Sequence, residues 1–186
     1  DISIHDAVES GNIEVVKQYI AAGKDVNVMP GIDITPLDYA YIYSPEIVGL
    51  LLKHGGKKGV EISICVAAKK GDIAAVKQHI ANGKDVNEKD SDVKTPLDWA
   101  ENVYGDSPEL KAAKKEIAKI LRKHGGKHGT IHGAAGGGDI KVVRDFLAAG
   151  ADVNVKLSAN NQTPLHYAAR FGHKEIVELL IAKGAD

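Results

Sequence analysis

Cysteine occurs once in this chain of 186 residues, at Cys65, so no intramolecular disulfide framework can hold it together and a reducing, cytoplasmic setting is expected. Tryptophan and methionine also occur once each, and phenylalanine only twice. Without bulky rings, a core must be filled by Ala, Val, Leu and Ile, which suits thin, closely stacked layers. No apolar run reaches the length of a membrane span, and no signal-peptide pattern opens the sequence. Neither sign of charge dominates: 24 Lys and Arg against 25 Asp and Glu leave a net charge of −1. That balance gives no footprint for nucleic acid or an anionic membrane. In the one basic stretch, from Lys111 to Lys127, Lys114, Lys115, Lys119, Arg122 and Lys123 fall at helical spacing around Glu116 and read as a solvated outer face.

What is present is a recurrent helix start. Residues 35–40 read Thr-Pro-Leu-Asp-Tyr-Ala, 95–100 Thr-Pro-Leu-Asp-Trp-Ala and 163–168 Thr-Pro-Leu-His-Tyr-Ala. In each the Thr hydroxyl can cap an orphan amide, Pro sits in the first turn where its missing N–H costs nothing, and Leu37, Leu97 or Leu165 points inward. A looser copy, beginning Ile4-His5, Ile64-Cys65 and Ile131-His132, lies between these. Cys65 thus occupies a position held elsewhere by histidine and is read as a small buried residue. From Ile4 to Leu37 and from Ile64 to Leu97 the spacing is 33 residues, and from Ile131 to Leu165 it is 34. A short turn follows each first helix, as at Gly11-Asn12, Gly71-Asp72, Gly138-Asp139 and Gly172-His173. The second helix then carries apolar residues at helical spacing and ends at a glycine: Gly23, Gly55, Gly83, Gly125, Gly150 or Gly184.

This pattern resembles the ankyrin repeat along the whole chain. The resemblance implies an all-α solenoid of antiparallel helix pairs with short β-hairpin fingers, led into by Asp-Val-Asn at Asp25 to Asn27, Asp85 to Asn87 and Asp152 to Asn154. A single domain, 1–186, of six repeats is expected: 2–34, 35–61, 62–94, 95–128, 129–162 and 163–186. The last helix pair has the apolar character of an internal repeat, so the chain is read as a piece of a longer array. The even repeats connect onward through Gly-Gly-Lys-Lys-Gly and Gly-Gly-Lys-His-Gly, too short for a full finger, so the organisation is one of three two-repeat units. Asp106-Ser107-Pro108-Glu109 is a start signal within an insertion in the fourth repeat and predicts a second helix lengthened at its N-terminus.

Candidate chemistry is weak. His124, His128 and His132 are spaced by four, which on one helix would make a metal-binding face, but Gly125, Gly126 and Gly129 break that helix. No metal site is expected there. The glycines from Gly133 to Gly138 lack the spacing of a P-loop or a dinucleotide fingerprint and are read as small residues that thin one layer. No nucleophile, base and orienter fall at catalytic spacing, so neither an enzyme nor a cofactor is expected.

The resemblance therefore directs attention to the surface, because ankyrin repeats generally bind another protein on the concave side formed by finger tips and first helices. Carried onto this sequence, that side would present Met29 and Ile32 from the first finger, Asp90 and Asp92 from the second, and Leu157 and Asn160 from the third. The first helices would add Ile42, Tyr43, Asn102, Arg170 and Phe171. Tyr39, Trp99 and Tyr167 recur beside them, and two readings stand for these rings: interface anchors, or packing against a neighbouring finger. The expected protein is a monomeric interaction module with no nucleic-acid or membrane partner. The alternative is a substrate- or partner-targeting region of a larger enzyme or bacterial-type effector.

Overall fold

In the computed structural model, residues 2–29, 34–157 and 161–186 are described, and they fall into two compact units, Asp1–Val66 and Ala67–Asp186. The first unit contains α1 (Ile4–Glu9), α2 (Ile13–Ala21), α3 (Pro36–Tyr43), α4 (Pro45–Lys53) and the single turn α5 (Gly59–Ile62). The unit boundary falls within α6 (Ile64–Lys70). Each start signal acts as its chemistry requires. Asn12 caps α2 by accepting from the Val15 amide, and Thr35 forms a reciprocal box with Asp38, whose carboxylate takes the Thr35 amide at 3.0 Å. The apolar stripes of these helices meet in a core of Ile4, Val8, Val16, Leu37, Ile47 and Leu51. Burying each such side chain stabilises the unit by about 1.5–3 kcal/mol before the entropy of ordering is counted. Between α3 and α4 only Ser44 intervenes, and its hydroxyl donates to the buried Val8 carbonyl at 2.6 Å. The turn α5 was not anticipated; Lys58 precedes it and donates its amide to the Glu61 carboxylate.

The second unit continues with α7 (Ile73–Ala81), α8 (Pro96–Glu101), α9 (Pro108–Lys123), α10 (Ile131–Gly136), α11 (Ile140–Ala148), α12 (Pro164–Phe171) and α13 (Lys174–Ala182). Helix α9 starts where Ser107 caps the Leu110 amide and runs for 16 residues, against nine in α7, α11 and α13, as the start signal predicts. One charge in its basic stretch is not solvated. Lys114 is buried, because its ammonium donates to the Asn102 carbonyl at 3.0 Å and pairs with Asp106 at 2.7 Å, pinning the inserted loop onto α9. Leu97 is fully buried, as Leu37 is in the first unit, whereas Leu165 is half-buried. Cys65 is buried, as expected of a small core residue.

All six terminating glycines adopt positive φ, between 67° and 89°. The β-hairpin fingers are not confirmed: the described residues contain no strand, and residues 30–33 of the first finger and 158–160 of the third lie outside them. The Asp of each Asp-Val-Asn instead folds an Asx turn, accepting from the Asn amide two residues on, at 2.8–2.9 Å. The Asn side chain then clamps the segment ahead. Asn27 donates to the Gly55 carbonyl and accepts from Lys57, Asn87 does the same with Gly125 and Lys127, and Asn154 with Gly184 and Asp186. In the second finger two backbone bonds, Asp90 N to Lys94 O and Val93 N to Asp90 O, close the loop, and the Asp90 carboxylate takes the Asp92 and Lys94 amides that a longer ladder would have used.

Candidate binding surface

In the first unit the surface is carried by α3, whose capped start faces the core and whose end faces solvent. Tyr41, Ile42 and Tyr43 are 50%, 64% and 54% exposed in succession. Tyr39 is half-buried, edge-on to His5 at 5.2 Å and 5.6 Å from Tyr43. The His5 imidazole in turn donates to the Ile34 carbonyl across 29 residues, so this histidine ties a first helix to its finger and does not bond locally. Lys58 holds its ammonium 4.6 Å from the Tyr41 ring. Met29 is half-buried, and Ile32 lies outside the described residues.

The second unit presents a different surface. Trp99 is half-buried, its indole N–H donating to the Asp90 carboxylate, with Lys94 and Lys69 at 4.1 and 4.3 Å from its ring. Asp92 is exposed at the same finger. Asn102, Leu157, Tyr167 and Phe171 line one shallow cleft together with Lys94. Tyr167 is only 7% exposed and stands edge-on to His132, so of the two readings of the recurrent ring its position fits packing. Arg170 is exposed, 4.4 Å from the ring of Tyr104, an exposed residue of the inserted loop that the repeat pattern could not flag. Asn160 lies outside the described residues.

The three histidines spaced by four serve three unrelated tasks. His124 Nδ1 bonds the Ile120 carbonyl at the end of α9, and His132 Nε2 donates to the carbonyls of Val155 and Gln162. Burial pushes the His132 imidazole below its ordinary range, only partly opposed by those carbonyls. His128 is buried between two carboxylates. Its Nδ1 donates to Asp98 at 2.8 Å, and its Nε2 lies 3.1 Å from Glu101, close enough for an ion pair but without a well-aligned hydrogen bond. Burial alone would depress this imidazole; Asp98 and then Glu101 more than reverse that and raise it to about 9. The other Glu101 oxygen accepts from Arg122, which also approaches Asp139 at 3.6 Å.

This ion cluster explains the glycines that follow it. A Cβ at Gly133 would collide with the Asp98 carboxylate, and one at Gly137 with Glu101 and His128. These residues do thin a layer, and they do so to admit charged side chains. The signal was present in sequence as the exchange of Lys58 for His128 and Tyr41 for Glu101 between otherwise similar segments, but only proximity gives it meaning.

With these features in place, comparison with known proteins fixes the family. Residues 131–181 match the family described as ankyrin repeats (many copies). A putative ankyrin repeat protein of fowlpox virus is 32% identical over 108 residues, 56% of this chain and 71% of that protein. The chain belongs to the ankyrin-repeat family, whose repeats generally mediate protein–protein interaction. It is also similar to myotrophin of Xenopus tropicalis, 43% identical over 49 residues, covering 26% of the chain and 41% of that protein. Palmitoyltransferase AKR1 of Lachancea kluyveri is 31% identical over 121 residues, which are 65% of this chain and only 12% of that protein. Among the described residues no helix is long and apolar enough to cross a membrane.

Proposed function

We propose that the chain is a protein-interaction module, monomeric and cytoplasmic, that binds a partner through the surface built by its finger turns and the ends of its first helices and catalyses nothing itself. The observation that carries this reading is the run Tyr41, Ile42 and Tyr43, three large apolar side chains exposed together on a helix whose start is fully buried. A preorganised helix end of this kind lowers the ordering cost of association. The residues proposed to contact the partner are Met29, Ile32, Tyr39, Ile42 and Tyr43 in the first unit. In the second they are Asp90, Asp92, Trp99, Asn102, Leu157, Asn160, Arg170 and Phe171, with Tyr167 as a packed support. The test is affinity capture with the intact chain, followed by titration of the captured protein against variants. Trp99→Ala should weaken it by at least about 2 kcal/mol, roughly thirtyfold, and Ile42→Asp by a similar factor. Lys119→Ala, in the exposed part of α9, should change it little. Equal losses from all three would place the binding site elsewhere.

A second reading is that the segment positions a partner or substrate for a larger enzyme. Its support is the similarity to the Lachancea palmitoyltransferase, of which the chain spans 12%, and to palmitoyltransferase Hip14 of Drosophila melanogaster, of which it spans 14%. Reading the gene on either side of these residues decides between them.

A further inference from the structure

On the side of the second unit formed by its second helices, α11 and α13 lie next to each other, and a cleft of about 370 Å³ opens between them. Its walls are Leu147 and Ala148 of α11, Ala151 and Val153 of the turn that follows, and Leu179 of α13. All of these but Ala148 also pack on the core of the unit, so the walls are fixed from beneath. Arg144 and Lys183 complete the lining, and no described carboxylate belongs to it. Both cations are exposed, and among the described residues neither side chain has a hydrogen bond, an ion pair or a ring contact. The acids nearby are engaged or face elsewhere. Asp145 lines the groove on the other flank of α11, Glu178 pairs with Lys174 at 3.7 Å, Asp152 accepts the Asn154 amide, and Glu175, exposed one turn before Leu179, is not part of the lining. Arg144 stands one turn before Leu147 and Lys183 one turn after Leu179, so the two charges flank the apolar walls at opposite ends. The cleft is particular to this pair of repeats. Equivalent positions are 34 residues apart, as Gly138 and Gly172 are, so Leu179 corresponds to Asp145 and Lys183 to Ala149. The groove that Asp145 and Ala149 line thus has an acid where this one has an apolar wall, and a methyl where this one has a cation.

We infer that this cleft is a second binding surface, which takes a short acidic segment of a protein partner: one apolar side chain seats between Leu147 and Leu179 while a carboxylate on either side of it meets Arg144 and Lys183. It goes beyond the proposed function, whose residues lie on the finger turns and first helices, and it stands or falls separately. Charge complementarity selects the occupant. The planar guanidinium takes a carboxylate through two parallel hydrogen bonds, and the ammonium attracts a second acid as a point charge. Walls already packed on the core lower the ordering cost of binding. A fatty acid would bring one carboxylate and leave the other cation unmatched. An anionic bilayer would meet Glu175 and Glu178, exposed on the same helix.

The probe is a phage-displayed library of random twelve-residue peptides panned on the intact chain, with the selected peptides then measured by fluorescence anisotropy. Expected is a set with Asp or Glu on both sides of an apolar residue. Its binding should weaken about tenfold between low and moderately high salt, and at least about tenfold in Arg144→Glu and in Lys183→Glu, with partial retention in Arg144→Lys. Ile42→Asp and Lys119→Glu should leave it within about twofold, and circular dichroism should find every variant folded. Selected peptides that lack the acids, or that lose binding in Ile42→Asp and keep it in Arg144→Glu, would overturn this second surface while supporting the first. Failure to select any peptide would overturn the second surface and leave the first to its own capture experiment. Sedimentation of the chain with phosphatidylglycerol vesicles, abolished by Arg144→Glu, would overturn the assignment in favour of a lipid surface.

Discussion

The segments beginning at Thr35 and Thr95 share the sequence Thr-Pro-Leu-Asp and nearly the same hydrogen bonds, yet they support opposite electrostatics. In both, the Asp carboxylate takes the Thr amide and the amide of a glycine ahead, Gly59 or Gly129, at 2.9–3.0 Å, and the Thr hydroxyl donates to Lys57 or Lys127. Beyond that frame they diverge. In the first unit Lys58 lies over Tyr41, a contact half in water; in the second His128 is sealed between Asp98 and Glu101 above two glycines that admit it. The same cap can therefore carry either a surface cation or a buried charge cluster, and two residue exchanges between the segments decide which.

The largest separation should come from removing the carboxylate. Asp38→Ala takes away a cap and should cost about 1–2 kcal/mol. Asp98→Ala also strands a buried imidazolium and should cost about 3–5 kcal/mol. Urea denaturation of both variants checks the ratio; equal losses would mean that the His128 pair contributes nothing beyond the cap.

Next in size is pH. Because the His128 pKa is raised from 6.5 to about 9, the native chain holds that proton more tightly than the unfolded chain. Its stabilisation is fully present below about pH 6.5, declines above it and is gone past about 9, a loss on the order of 3 kcal/mol. His132, held below its ordinary range, works in the opposite direction: its contribution is present above about 6.5 and lost as the pH falls. Thermal melts from pH 5.5 to 9.5 should show the alkaline decline in the wild type and not in His128→Gln. A flat wild-type profile between 6.5 and 9 would break the comparison.

The glycines give a smaller, two-signed test. Gly137→Ala drives a methyl against Glu101 and His128 and should cost about 1–3 kcal/mol. Gly49→Ala, in the middle of α4 with nothing within 4 Å of the new methyl, should stabilise by about 0.5–1 kcal/mol. Calorimetry on the two variants should move the melting temperature in opposite directions. Smallest of all, Lys58→Ala removes only a solvent-exposed cation–ring contact and should cost under about 1 kcal/mol, with little dependence on pH from 6 to 9.

The repeat spacing, the caps, the terminating glycines and the start of α9 were all legible before any coordinates, because each is a local rule about backbone groups within a few residues. The partners of the finger amides were not, since an Asp side chain can satisfy the same amides that a hairpin ladder would, and sequence does not say which acceptor wins. Lys114 was misread for a related reason. On a helical wheel it belongs to a basic stripe, and only the fold-back of the inserted loop brings Asp106 and the Asn102 carbonyl to its ammonium. The same loop places Tyr104 under Arg170, a contact no periodicity could contain.

The sequence by itself determined a stack of helix pairs of the ankyrin type, since period, caps and apolar stripes are encoded within each repeat. It also determined that a single cysteine and balanced charge would carry no disulfide framework and no strong field. The tertiary structure decided which charges are buried, which rings are packed and which cations remain on the surface. Those outcomes depend on pairs such as Asp98 with His128 and Arg170 with Tyr104, separated by 30 or more residues, whose energies exist only once the layers have met.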